Sequence, residues 1–410
     1  MKKLLVSITN RSSYNKVKTI VSNLPSDIRV TFLLGNSINI YRYGGMGKRI
    51  EQNFPLAKIL RVHMAVEGDD LHKMSKTVGM GILEIATILD NEKFDAVLTV
   101  ADRFETMAVA VAASYANIPL IHLQGGEVTG TIDNKVRHAI SQLADIHFPA
   151  THSAGIRLSK SLGISNDGDA LPNHCYPYGC PSMDLLVKDE RVNDLREWAI
   201  CTPSIPFPEY PYDDLVTTTT HLINSTGTGG MIDTGKPFVV VMFHGDTTDE
   251  SFVDNIYQLR DALNYLNMQE VVFWNNIDPK GDSIAKMWRE RQILRIDNKQ
   301  QVRYIRHLSP EEFSGVLMLS SCIIGNSSTG VREASFLGVP SVNIGDRQHN
   351  REHGENCFSV TLYKKDIVDG VNYSIMQKQD GYMRPINLYG DGKSGIKIAG
   401  EIANVLRHRP

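Results

Sequence analysis

The chain has 410 residues, which exceeds one ordinary hydrophobic core and favours two domains. Its 42% hydrophobic and 22% charged content is typical of a globular protein, and a formal charge of −3 argues against a nucleic-acid-binding protein, which needs a basic face. No apolar run approaches the roughly 20 residues of a membrane span, and the five scattered cysteines form no CxxC pair, so we expect a cytoplasmic protein without a metal site.

In the first half, short β-branched runs alternate with longer amphipathic stretches, the pattern of a parallel sheet covered by helices. The predicted strands are Leu4–Ile8, Val30–Leu34, Ala96–Val100, Leu120–Leu123 and Asp145–Pro149. The predicted helices are Asn15–Asn23, Lys76–Asp90, Glu105–Tyr115, Asn134–Leu143 and Ser153–Leu162. Residues 1–185 are therefore expected to form one Rossmann-like domain.

The composition then changes. Residues 186–235 are charged at first and then rich in Pro, Thr and Gly, which predicts an irregular insertion or connection. A second alternating series follows over 236–390, with predicted strands Phe238–Phe243, Val271–Trp274, Val302–Ile305, Cys322–Ile324 and Ser341–Ile344. Its predicted helices are Glu250–Leu266, Asp282–Arg291, Pro310–Leu319 and Gly330–Leu337. The predicted fold class is α/β, with two Rossmann-like doubly wound domains facing across a cleft and ligands outside the carboxyl ends of their strands.

The segment CIIGNSSTGVREASFLG carries the strongest functional pattern. Gly325 and Gly330 permit close backbone approach, the hydroxyls of Ser327 and Ser328 can donate to phosphate oxygens, and a helix start offers free N–H groups. Glu333 lies one turn further on, where a carboxylate can accept two ribose hydroxyls. A helix merely capped by one of the serines is the structural alternative. Since neither GxxxxGK[ST] nor an early GxGxxG occurs, no nucleotide cofactor is predicted.

Asp102 and Arg103 follow directly on the predicted strand Ala96–Val100, where α/β enzymes expose reacting groups. Glu105 lies three residues after Asp102, so a capping box between them is the structural alternative.

In IHLQGGEVTGTID, a strand leads to Gln124, a Gly-Gly turn, Glu127 and then Asp133 at a helix start. Several carboxylates at one edge can have their pKa values separated, as general acid–base chemistry requires. Asp133 alone would also serve as a helix N-cap.

Four further candidate residues lie at or after the ends of predicted strands. His244 follows the strand Phe238–Phe243 beside a polar turn, and Asn276 lies in a turn placed to touch a base or sugar. Arg11 and Lys16 follow the first strand and supply two cations suited to phosphate.

Together these motifs resemble the hydrolysing UDP-N-acetylglucosamine 2-epimerases. The resemblance rests on ADRFETMAVAVAASYANIPLIHLQGGEVTGTIDNKVRHAISQLADIHFPAT, YGCPSMD and GNSSTGVREASFLGVPSVNIGDRQ, and it extends from residue 11 to about 356 apart from 186–235. It implies the glycosyltransferase-B arrangement of two Rossmann-like domains, with a C-terminal helix in 391–410 that returns to the first domain. It also implies a homodimer or homotetramer.

The implied reaction converts UDP-GlcNAc, or a related UDP-2-acetamido or diacetamido sugar, into a free N-acetylmannosamine-type sugar and UDP. Removal of the C2 proton with loss of UDP gives a glycal, to which water then adds. By the same resemblance, Asp102 and Asp133 match acid–base positions and His244 begins the active-site turn of the second domain. Arg11 and Lys16 match phosphate-side cations. The implied nucleotide contacts are Asn276, Ser327, Ser328, Glu333 and Arg347.

The chain also departs from the family pattern. Gln124 stands where some members carry a glutamate, so either Glu127 supplies the missing carboxylate or the chemistry uses fewer acids. Ser13 replaces a usual acidic residue, the second strand ends in LLGNSIN without the frequent histidine, and Gly245 replaces a usual proline. These changes favour an altered sugar, or else a weakened activity, on an unchanged nucleotide platform. The alternatives are a glycosyltransferase-B-type transferase, a non-catalytic nucleotide-sugar-binding relative, and a non-hydrolysing epimerase.

Overall fold

The computed structural model describes residues 1–43, 45–68, 70–101, 103–164, 171–201, 213–297, 301–381 and 383–408, with only the backbone described for Arg42 and for 294–297. The chain divides into two compact units. Unit 1 comprises Met1–Val128, Ile132–Asp184 and Tyr389–Pro410, and unit 2 comprises Leu185–Leu388 together with Thr129–Thr131. Within the described ranges, every helix is too short or too polar to cross a membrane.

Unit 1 is built on a parallel six-stranded sheet. Its strands are β1 (Lys2–Ile8), β2 (Ile28–Leu34), β3 (Lys58–Arg61), β4 (Ala96–Val100), β5 (Leu120–Leu123) and β6 (Ile146–Phe148). They lie in the order β3-β2-β1-β4-β5-β6. The direction of winding therefore reverses between β1 and β4, and the carboxyl ends of these two strands form the switch point at which doubly wound sheets bind ligands.

Helices cover both faces of this sheet. They are α1 (Arg11–Ser22), α2 (Gly47–Asn53), α3 (His72–Asn91), α4 (Thr106–Tyr115), α5 (Ile132–Leu143), α6 (His152–Ser161) and α7 (Met183–Leu186). Alternate residues of β1 enter different cores: Leu4 and Val6 join the core that includes α1, whereas Leu5 joins the core that includes α3 and α4. Both faces are thus apolar, as a covered parallel sheet requires.

Unit 2 repeats the arrangement. Its strands are β7 (Thr228–Gly229), β8 (Phe238–Met242), β9 (Gln269–Phe273), β10 (Val302–Ile305), β11 (Cys322–Gly325), β12 (Ser341–Ile344) and β13 (Cys357–Val360). Their order is β13-β12-β11-β8-β9-β10-β7, and every pairing is parallel except that of β7 with β10. Winding reverses between β8 and β11. The predicted fold class, α/β with two doubly wound Rossmann-like sheets, is confirmed.

The helices of this unit are α8 (Glu190–Cys201), α9 (Asp213–Ser225), α10 (Phe252–Leu266), α11 (Gly281–Asp297), α12 (Pro310–Leu319), α13 (Ser328–Val331), α14 (Glu333–Leu337) and α15 (Lys364–Gln379). The irregular connection predicted over 186–235 is wrong where the structure describes it. Helix α8 buries Val192, Leu195 and Ala199, and α9 buries Leu215 and Ile223, so each follows helical spacing. The single helix predicted over Gly330–Leu337 is instead two short helices.

The last helix, α16 (Ser394–His408), belongs to unit 1 and packs against α1. Its first turn is held by the buried carboxylate of Asp184. The backbone N–H of Ser394 donates to Oδ1 at 2.9 Å, and that of Gly395 donates to Oδ2 at 2.6 Å. Thr19 of α1 adds a hydroxyl donor at 3.0 Å. Burial raises the pKa of Asp184, because desolvation outweighs the opposing effect of these bonds.

We predict that Asp184→Ala lowers the stability of unit 1 by roughly 3 kcal/mol, because three buried donors lose their acceptor. Thermal or urea unfolding followed by circular dichroism measures the loss. Asp27→Asn is the control: it also removes a contact to α16, but the Asp27–Arg407 ion pair is exposed and should contribute little. Equal losses from the two variants would contradict the proposed anchoring of α16 by Asp184.

Candidate functional site

At the switch point of unit 1, the carboxyl ends of β1 and β4 are joined through the carboxylate of Glu105. Its Oε1 accepts from Nδ2 of Asn10 at 3.4 Å and from Nε of Arg103 at 3.4 Å. The Glu105 side chain is fully buried, and its Oε2 has no hydrogen-bond partner among the described residues. Glu105 occupies the N-cap position of α4 without a side-chain capping bond. Its carboxylate therefore organises two turns that lie 95 residues apart.

The predicted cations belong to this edge. Asn10 caps α1 by accepting from the backbone N–H of Ser13 at 2.9 Å, which places Arg11 as the first residue of the helix. Burial lowers the pKa of Arg11 to about 10, so its guanidinium stays charged at neutral pH. Lys16 is buried on the same helix, and Arg103 is mostly buried beside Glu105. Asp102, the first predicted acid, lies outside the described residues.

The next strand end, after β5, is a tight turn over Gln124-Gly125-Gly126. Gln124 has φ 62° and Gly126 has φ 79°, and a Cβ on Gly126 would lie 2.1 Å from the carbonyl oxygen of Ala154. The Gln124 amide is buried and donates from Nε2 to Sγ of Cys180 at 2.7 Å. The residue in place of a family glutamate is therefore a neutral group held by a thiol.

The chain then carries the two remaining acids of unit 1. Glu127 is buried directly after the turn, and its carbonyl oxygen accepts from Nη1 of Arg137 at 2.8 Å. Asp133 is half-buried in the first turn of α5. Burial, with Arg137 and Arg157 nearby, lowers the pKa of His138 in the same helix. Among the described residues, no group of three or more His, Cys, Asp and Glu side chains is placed to hold a metal ion.

At the switch point of unit 2, the buried side-chain amide of Asn326 joins the ends of β8 and β11. Its Oδ1 accepts from the backbone N–H of His244 at 2.8 Å, and its Nδ2 donates to the carbonyl oxygen of His244 at 2.8 Å. Gly325 has φ 142°, and a Cβ there would lie 1.9 Å from the carbonyl oxygen of Met242. The two hydrogen bonds from Asn326 thus fix the position of His244, which is 8% exposed.

Arg347 is held against the same turn. Its Nη1 donates to the carbonyl oxygen of Asn326 at 3.2 Å, and its Nη2 pairs with Asp278 at 3.2 Å. Nε2 of Gln348 reaches the same carbonyl oxygen at 2.9 Å. Ser327 caps α13 by accepting from the N–H of Thr329 at 3.3 Å, which is the capping role that the sequence left open. A fixed cation and two serine hydroxyls are therefore gathered at one turn.

The other predicted nucleotide residues lie around this turn. Asn276 is half-buried and accepts weakly from the N–H of Asp278, at 3.5 Å. Glu333 is half-buried at the start of α14. Gly330 permits close packing, because a Cβ there would lie 2.4 Å from Oγ of Ser341.

The turn after β8 shows why glycine stands at position 245 in place of the usual proline. A Cβ on Gly245 would lie 2.0 Å from the carbonyl oxygen of Pro279, so neither proline nor alanine fits this backbone. The neighbouring Asp246 is buried and accepts from the backbone and hydroxyl of Thr248 at 2.9 and 2.8 Å. Close approach of two turns within unit 2 thus requires glycine at this position.

Sequence reasoning missed several residues that organise these edges. These residues make contacts between distant parts of the chain, which no local pattern reveals. They are Asn10, Glu105, Cys180 and Gln348. Asn326 was recognised as part of its motif, but its side chain braces the backbone.

Comparisons with known proteins agree on one family. The family model described as UDP-N-acetylglucosamine 2-epimerase matches residues 44–192 and 210–403. A UDP-N,N'-diacetylbacillosamine 2-epimerase (hydrolyzing) from Legionella pneumophila is 27% identical, over 96% of this chain and 93% of that protein. The polysialic acid biosynthesis protein P7 of Escherichia coli is also 27% identical, over 92% of this chain and 87% of its own length.

A solved structure shows the same fold. The UDP-GlcNAc 2-epimerase from Neisseria meningitidis bound to UDP-GlcNAc superposes with a TM-score of 0.71 at 16% identity. The match covers 98% of this chain and 100% of that one.

We predict that Gly245→Ala destabilises unit 2 by about 2 kcal/mol or more, because the new Cβ forces the β8 turn away from Pro279. The control is Gly400→Ala in α16, where a Cβ meets nothing within 4 Å and helix propensity should raise stability by roughly 0.5–1 kcal/mol. Thermal unfolding compares the two, and a neutral Gly245→Ala would refute the steric explanation.

Proposed function

The chain belongs to the UDP-N-acetylglucosamine 2-epimerase family, and we propose that it is a hydrolysing 2-epimerase. In this proposal a UDP-2-acetamido sugar is converted into the free 2-epimeric sugar and UDP. The Legionella pneumophila relative is named as a hydrolyzing epimerase of a UDP-diacetamido sugar, and it matches nearly the whole chain. This match supports the hydrolysing type over the non-hydrolysing type.

One observation carries the nucleotide end of the proposal: Arg347 is fixed to the backbone of the Gly325–Ser328 turn beside the serine hydroxyls. A planar guanidinium with adjacent hydroxyl donors suits the oxygens of a diphosphate. Because Asp278 and the Asn326 carbonyl already hold this arginine, it needs little reordering when the ligand binds. We assign ribose contact to Glu333 and base or sugar contact to Asn276.

The reaction begins with removal of the C2 proton and cleavage of the C1–O bond to UDP, which gives a glycal. Water then adds its hydroxyl to C1, and a proton returns to C2 from the opposite face. The C2 proton is weakly acidic, so a carboxylate base needs a shielded setting that raises its basicity. We assign acid–base roles to Asp102, Glu127 and Asp133, with His244 at the turn of unit 2.

Departure of UDP places negative charge on the diphosphate. In unit 1, Arg11 remains a cation because its pKa of about 10 lies well above neutrality. We assign it, with Lys16 and Arg103, to stabilising that charge. Gln124 cannot titrate, so we assign it a substrate contact. The free sugar would enter sialic-acid-like biosynthesis, and we expect a cytoplasmic homodimer or homotetramer.

Incubation in deuterated water tests the reaction. The protein is mixed with UDP-GlcNAc, and in parallel with a UDP-2,4-diacetamido sugar, and proton NMR follows both. We expect UDP and a free manno-configured sugar that carries deuterium at C2, because the returning proton comes from solvent.

The other outcomes are equally distinct. A deuterated UDP-linked epimer without release of UDP would indicate a non-hydrolysing epimerase. Release of UDP with retained C2 hydrogen would indicate simple hydrolysis or transfer. Intact substrate despite measured binding would indicate a non-catalytic relative. Any of these three results would overturn the proposed reaction.

Asn326→Asp tests the nucleotide end. We expect it to weaken UDP binding at least tenfold in isothermal titration calorimetry, because loss of the Nδ2 donor and a new buried charge displace the turn. Asn224→Asp is a matched control in unit 2. Asn224 makes the same reciprocal pair with the backbone of Ile232, at 2.7 and 2.8 Å, away from the switch point. Both variants should lose stability, but only Asn326→Asp should lose UDP. Equal UDP affinity in the two would contradict the assignment.

A further inference from the structure

Asn36 is an unusual residue of unit 1 that the assignments above do not use. It is 2% exposed, and its φ of 51° lies in the left-handed region. Its Nδ2 has no hydrogen-bond partner among the described residues. A buried donor without an acceptor is unfavourable, and a left-handed backbone adds strain. Such combinations cluster at functional sites.

The position of Asn36 places it at the ligand-binding edge of the sheet. It follows β2, which lies beside β1, and its turn is tied to the end of β1. The N–H of Gly35 donates to the carbonyl oxygen of Ile8 at 3.0 Å, and the hydroxyl of Ser37 donates to the carbonyl oxygen of Thr9 at 3.2 Å. Asn36 therefore lies next to the turn that precedes Arg11.

Buried apolar side chains also lie at this turn. Ile38 is 2% exposed and Met64 is 1% exposed, and a Cβ on Gly35 would lie 3.1 Å from Sδ of Met64. A neutral amide donor beside such side chains suits a neutral acceptor better than a phosphate or a carboxylate, which cations bind more strongly. It matches an N-acetyl group, whose carbonyl oxygen accepts a hydrogen bond and whose methyl group packs against apolar side chains.

We propose that Asn36 is a specificity-determining residue that donates from Nδ2 to the carbonyl oxygen of an N-acetyl group on the sugar. This inference rests on the proposed function, because it takes the ligand to be a UDP-acetamido sugar. Asn36 also lies within LLGNSIN, where the chain departs from the family pattern.

The test uses Asn36→Gly in the full-length protein. Glycine adopts φ 51° freely, so this variant removes the amide and leaves the backbone unstrained. The matched control is Asn117→Gly: Asn117 has φ 56° in the same unit but is exposed in the turn between α4 and β5. Dissociation constants are measured for UDP, UDP-glucose, UDP-GlcNAc and a UDP-2,4-diacetamido sugar.

We expect Asn36→Gly to weaken binding of N-acetylated sugars about tenfold, the usual effect of one lost hydrogen bond, and to leave UDP and UDP-glucose unchanged. A loss for both acetamido sugars would assign Asn36 to the 2-acetamido group, and a loss for the diacetamido sugar alone would assign it to the second one. Asn36→Asp, which replaces the donor with an acceptor, should bind no better than Asn36→Gly.

Three results would overturn the inference: no loss for either acetamido sugar, an equal loss for UDP-glucose, or full affinity in Asn36→Asp. Binding is measured by rapid mixing, before the substrate is consumed, so the result is independent of turnover. A protein that binds acetamido sugars without converting them would contradict the proposed reaction but would still report on Asn36.

Discussion

Two parallel strands that end side by side leave their last backbone groups without sheet partners, and in unit 2 one side chain satisfies them. The amide of Asn326 exchanges hydrogen bonds with the N–H and the carbonyl of His244, so the ends of β8 and β11 cannot separate. Close approach then excludes a Cβ at Gly325. It also presents the Asn326 carbonyl oxygen to Arg347, which fixes the cation beside Ser327. The position of the proposed diphosphate-binding cation therefore follows from a backbone constraint.

In unit 1 a charged side chain, the carboxylate of Glu105, connects the two strand ends. At its switch point Asn10 reaches Glu105 rather than a backbone group, and Arg103 shares the same carboxylate oxygen. A fully buried carboxylate is stable only when it is paired, so Glu105 holds both partners in place. The contacts at the two switch points thus differ in kind: in unit 2 a neutral amide holds backbone groups, and in unit 1 a buried carboxylate holds an amide and a guanidinium.

The sequence predicted strand boundaries well where every residue of the strand is buried. Strands β4, β5, β10 and β12 were predicted to the residue, and every residue in each of them is buried. Strands β3 and β13 were missed, since both are short and partly exposed at a sheet edge. Helices α8 and α9 were missed because the charged residues of α8 and the Thr-rich sequence of α9 concealed their spaced apolar residues. Arg103, Gln124 and His244 do follow the strands that the sequence predicts, but the contact between Asn10 and Glu105 depends on tertiary structure alone.

The departures from the family pattern are unevenly distributed, and their contacts explain why. Gly245 is required by the backbone of Pro279, so this change in unit 2 preserves a turn and needs no new ligand. In unit 1 the changes alter hydrogen-bonding groups instead. Gln124 is neutral and bound to the thiol of Cys180, and Asn36 offers a donor within LLGNSIN, which lacks the frequent histidine. Gln124 and Asn36 present neutral donors and acceptors, which can distinguish sugars that differ in hydroxyl and acetamido groups. We therefore propose that this chain diverges from its family in recognition of the sugar.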